Sequence, residues 1–125
     1  AVIEVIRRSL RRHQQLVSEA EKLGVIIAAG TDAGAPGVGH GTALAREIVL
    51  LHDAGLSPRS ALTAATSAAA RACGLQSAGI IAPGKEPYLL VVKGNPLTDL
   101  HVLQNPVALL LPDNTNTKGR IRNNE

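Results

Sequence analysis

The 125 residues suffice for one ordinary domain, and a 45% share of hydrophobic residues with mean hydropathy +0.11 demands a buried core. One Tyr and no Phe or Trp mean that this core is built from Ala, Val, Leu and Ile, and that no aromatic stacking residues accompany the basic clusters as in a single-strand nucleic-acid binder. The net charge of +3 rests on two basic clusters, Arg7, Arg8, Arg11 and Arg12, then Lys118, Arg120 and Arg122, which read as a solvated helix face and a basic tail.

In chain order, residues 2–23 carry apolar side chains every three to four positions (Ile3, Ile6, Leu10, Leu16 or Val17, Ala20, Leu23), with arginines, glutamines and Lys22 opposite, which predicts an amphipathic helix stopped by Gly24. Residues 25–29 form an apolar run without alternation, the pattern of a strand buried on both faces of a parallel sheet. A loop with five glycines spans 30–41. A helix from Thr42 to about Asp53 presents Leu44, Ile48 and Leu51 and ends at Gly55. Ser57-Pro58 opens a third helix, because Ser caps free N–H groups and Pro fits the first turn. Its packing face is Ala61, Leu62, Ala65, Ala68, Ala69 and Ala72, and Gly74 stops it.

Beyond it, short strands are predicted near 79–84, at 89–93 and at 107–111, with a turn or short helix at 97–104. From 113 the chain is polar and is expected to be disordered. The single Cys73 excludes an internal disulfide, suits a reducing cytoplasm, and reads as a small buried apolar residue. No run reaches transmembrane length and no signal peptide is evident, so a cytoplasmic protein without membrane contact is expected.

The chemistry concentrates at 25–41. The apolar run delivers Asp32 onto the glycine-rich loop, and a carboxylate at the tip of a buried strand is costly without a charged partner or a metal. Asp32 is thus either a metal ligand with a proton-transfer role or a cap for the adjoining loop or helix. His40, in the same loop, either contacts substrate or bonds to backbone, and Thr31 orients the loop. His13, His52 and His101 read as structural, since no two of them stand at metal-ligand spacing. A phosphate-binding turn is the rival for the loop. However, Gly37, Gly39 and Gly41 make G-x-G-x-G without the following Lys-Ser/Thr, and Asp32 would repel a phosphate.

An ordered series extends this loop: Gly30-Thr-Asp-Ala-Gly34, His40-Gly41, Arg46-Glu47-Ile48, Ala54-Gly-Leu-Ser-Pro58, Ala64-Ala65-Thr66, Gly79-Ile-Ile-Ala-Pro-Gly-Lys85, Leu90-Val-Val and Gly94-Asn-Pro-Leu97. It resembles the C-terminal part of the metal-dependent amidohydrolase superfamily, nearest to imidazolonepropionase-like and prolidase-like members, over about residues 20–111. The resemblance implies an α/β fold: the last β-α unit of a TIM-like barrel over 1–76, short strands of the small β-sandwich domain over 77–112, and a tail over 113–125. It implies one or two divalent metals, usually zinc, with Asp32 as metal ligand and catalytic proton shuttle and His40 as the substrate-binding candidate. A bound metal brings the pKa of water toward about 7, and a carboxylate in reach takes its proton and returns it to the leaving nitrogen.

The resemblance departs in two places. Pro87-Tyr88-Leu89 replaces the usual Ala-Asp-Leu, which bears on local packing. The family's other ligands, a His-x-His, a Lys or Glu and two further His, have no counterpart here. A catalytic zinc takes about three protein ligands and a barrel ~200 residues or more, so the expected protein is the C-terminal portion of a longer C–N hydrolase. Its substrate would be a small amide or peptide, with the missing N-terminal barrel as its necessary partner and the chain alone inactive. The alternative is a non-catalytic structural or interaction remnant.

Overall fold

A computed structural model describes residues 2–112 and the backbone of 120–123. The elements are α1 (Val2–Lys22), α2 (Ala43–Asp53), α3 (Pro58–Thr63), a π-helical turn (Ala64–Ala68) and α4 (Ala69–Ala72), then β1 (Leu89–Val92), a 3-10 helix (Leu100–Gln104), β2 (Pro106–Leu111) and β3 (Arg120–Asn123). Helices and a small antiparallel sheet thus share the chain, consistent with a piece of an α/β protein.

Capping chemistry fixes the helix ends where the sequence places them. At Gly24, Gly55 and Gly74 the two residues past each helix turn back onto it: Val25 N–H donates to Ala20 O, Leu56 N–H to Leu51 O and Leu75 N–H to Ala70 O. Gly55 has φ +112, and its bare Cα also admits α1, since a Cβ there would meet Ser18 Oγ at 2.9 Å. Ser57 accepts the Ser60 N–H at 3.0 Å with Pro58 in the first turn.

The core is small and lies between α2, α3 and the 3-10 helix. Ile48, Leu56, Ala61 and Leu100 are buried together, with Val17, Ile27, Val49, Leu51, Leu62 and Leu103 against them. The Asp99 carboxylate starts the 3-10 helix by accepting the His101 N–H at 2.9 Å, which aims Leu100 into this core. β1 and β2 pair antiparallel from Leu89 opposite Leu110, with an irregularity between Val91 and Val92. β3 pairs with the other edge of β2, Arg122 opposite Leu109, so the order is β1-β2-β3.

Several expectations change here. Residues 25–29 form no strand: Val25 and Ile26 stand 56% and 65% exposed, because the described residues hold no neighbouring strand for them to pair with. The stretch 79–84 is bends and a turn closed by Lys85 N–H on Ala82 O, again without a partner strand. α1 forms as predicted but buries no residue. The third helix is one helix interrupted by a π turn, and its buried alanines are 61, 64, 68 and 70, while Ala72 is exposed. Cys73 is exposed rather than buried, since it follows the last helical turn. Within the predicted tail, 120–123 pair as a strand; 113–119 and 124–125 lie outside the described residues. None of the described helices is long and apolar enough to cross a membrane.

Candidate functional site

The loop after residue 29 is built by its own turns. Ala35 N–H donates to Asp32 O, Val38 N–H to Ala35 O, and Gly34 N–H to Val38 O, all at 2.9–3.0 Å. Asp32 sits where this loop begins, with φ +50, the left-handed region that costs a side-chain-bearing residue energy and that Asp tolerates better than most. Its side chain is exposed, and its carboxylate makes no hydrogen bond or ion pair with the described residues. The capping alternative therefore finds no support: α2 opens at Thr42 with no side-chain cap. Asp32 is the one described non-glycine residue with positive φ, and its exposed carboxylate is free of partners among the described residues.

His40 returns to the start of the same loop. Its ring lies against Gly34, where a Cβ would meet Nε2 at 3.5 Å. The loop thus brings the His40 ring against Gly34, two residues after Asp32, with its imidazole exposed and making no hydrogen bond among the described residues. The backbone-bonding reading of His40 is not what the side chain does.

The other histidines separate from this site. His52 Nδ1 is 2.7 Å from Leu56 O, a helix-end contact. His101 Nδ1 is 3.4 Å from Gln104 Nε2, one turn along the 3-10 helix. His13 lies on exposed α1.

A hollow of about 1010 Å³ opens between the glycine-rich loop, α2 and the end of the 3-10 helix. Thr31, Thr42, Arg46, Glu47, Gln104 and Asn105 give it polar groups, and Leu44, Ile48, Leu90 and Leu103 its apolar floor. Asp32 and His40 do not line it, so volume and chemistry point to different places; the unpartnered carboxylate marks the candidate site more specifically than an open groove does. No sequence signal announced this groove, because it exists only once the 3-10 helix folds onto α2.

Among the described residues, no group of three His, Cys, Asp or Glu could hold a metal ion. The described residues therefore do not make a metal centre by themselves; Asp32 offers one exposed carboxylate where about three protein donors are needed.

The profile of the amidohydrolase family matches residues 3–121, nearly the whole chain. No curated protein matches it. The chain belongs to the amidohydrolase family, whose members are hydrolases that generally use divalent metals.

Proposed function

From membership of the amidohydrolase family we propose that this chain is the C-terminal portion of a metal-dependent hydrolase of C–N bonds, with Asp32 its catalytic carboxylate. The observation that carries this reading is Asp32 itself: exposed, in left-handed backbone, without a partner among the described residues, at the start of a glycine-rich loop inside the stretch that matches the family. Its free oxygens accept a proton from the attacking water and pass it to the leaving nitrogen as the C–N bond breaks. His40, exposed beside Gly34, contacts the substrate, which is a cyclic amide, a dipeptide ending in a residue such as proline, or another small amide, as in the imidazolonepropionase-like or prolidase-like branches.

The barrel assignment for 1–76 and the sandwich assignment for 77–112 belong to the same reading. The exposed Val25 and Ile26 and the apolar face of α1 support it, since an apolar segment aimed at solvent is the surface of a larger structure. Asp32 then serves as one metal ligand, most readily of zinc, and the other donors come from elsewhere in the longer enzyme.

Two measurements test this. Calorimetric titration of the purified chain with zinc is expected to show binding weaker than micromolar; tight binding would mean a complete site within these residues. In the longest polypeptide whose coding sequence contains this chain, Asp32→Asn is expected to reduce turnover by about 10²–10⁴-fold. Turnover within a few-fold of the parent would remove Asp32 from the chemistry.

A further inference from the structure

The segment that carries Asp32 is anchored near its start, by the Ile27 side chain against the core and by one backbone contact. Among the described residues, one hydrogen bond joins residues 26–41 to any other part of the fold: Ala29 N–H donates to Ala64 O at 2.9 Å. Every other hydrogen bond of this segment closes within the loop itself. Ala29 precedes Asp32 by three residues.

The acceptor is no ordinary helical carbonyl. Ala64 begins the π-helical turn Ala64–Ala68, in which the i→i+4 ladder of α3 gives way to a wider turn. Such turns take backbone carbonyls off the regular ladder and recur at functional positions. Two features hold this one. Thr66 Oγ1 donates to Leu62 O at 2.7 Å, the side-chain back-bond that bends a helix. On the same turn sits Gly79 at φ +86, where a Cβ would meet Ala70 Cβ at 2.7 Å and Thr66 O at 2.9 Å. Any side chain at 79 would push the turn away, so the contact requires glycine.

We infer that this π turn, locked by Thr66 and Gly79, is the positioning device for Asp32: through the Ala64 carbonyl it fixes where the segment bearing the carboxylate leaves the fold. Thr66 and Gly79 are positioning residues, acting through the backbone rather than on substrate. The functional part of this inference rests on the reading of Asp32 as the catalytic carboxylate; the tether itself does not.

The test uses the 125-residue chain and reads amide hydrogen exchange by NMR at Ala29, with Ala54 and Leu56 at the end of α2 as internal controls. Thr66→Val removes the back-bond while keeping the shape. It is expected to speed exchange at Ala29 by about tenfold, leaving Ala54 and Leu56 unchanged, and Thr66→Ser is expected to restore protection. Unchanged exchange at Ala29, or equal acceleration at all three amides, would overturn the inference, the second because it makes Thr66 merely structural. In the longer polypeptide, Thr66→Val is expected to lower kcat with KM retained and Thr66→Ser to recover it. Full turnover in Asp32→Asn would sink the catalytic reading while the exchange result still judged the tether.

Discussion

The helical body from α2 to α4 and the N-terminal stretch of α1 with residues 25–31 are built from the same aliphatic alphabet, yet they end in opposite states. Ile48, Leu56, Ala61 and Leu100 close on one another, whereas α1 buries nothing and leaves Ile3, Ile6 and Leu10 between 57% and 66% exposed. Amphipathic periodicity makes a helix and marks the face it wants to bury; a second surface must then cover that face. α2 finds its cover in the 3-10 helix and α3, but most of α1 has none among the described residues. Burying each such side chain is worth about 1.5–3 kcal/mol, so α1 represents a substantial unused driving force for docking onto more protein.

Three substitutions put that contrast to the test. Leu56→Ala, at a side chain 2% exposed, is expected to cost about 2–5 kcal/mol in chemical denaturation, because it leaves a cavity in the small core. A cost under about 1 kcal/mol would show that this body is no better packed than α1. Ser57→Ala removes the acceptor for the Ser60 N–H and is expected to cost about 1 kcal/mol in the same assay. Ile6→Ser is expected to change stability by no more than about 0.5 kcal/mol, as surface positions do, while sedimentation shows less self-association than in the parent chain. A loss comparable to that of Leu56→Ala would mean α1 is packed in solution.

Local chemistry made much of this legible. Gly24, Gly55 and Gly74 announce helix ends because only a few residue types satisfy the last carbonyls by turning left-handed, and Ser57-Pro58 announces a start for the mirror reason. The loop around Asp32 was also legible, since closely spaced glycines and Pro36 disfavour both helix and strand. The predicted strand at 25–29 failed for a different reason. Its pattern describes the environment of a strand in a parallel sheet, and pairing needs neighbours that periodicity in one segment does not supply. The expected burial of Cys73 and Ala72 failed because they stand at the very end of the last helical turn, Ala72 as its final residue and Cys73 as its cap, where the packed face has run out.

Read alone, the chain specifies which segments are helical, where they stop, that Asp32 begins a glycine-rich loop, and to which family the ordered motifs belong. Caps, turn residues and spacing carry all of this, and they act over a few neighbouring positions. It took the folded molecule to establish that Asp32 adopts φ +50 without a partner among the described residues, that His40 folds back over Gly34, and that Ala29 is pinned to Ala64. Those facts depend on how separate segments meet, and the energy of any one segment is silent about what will meet it.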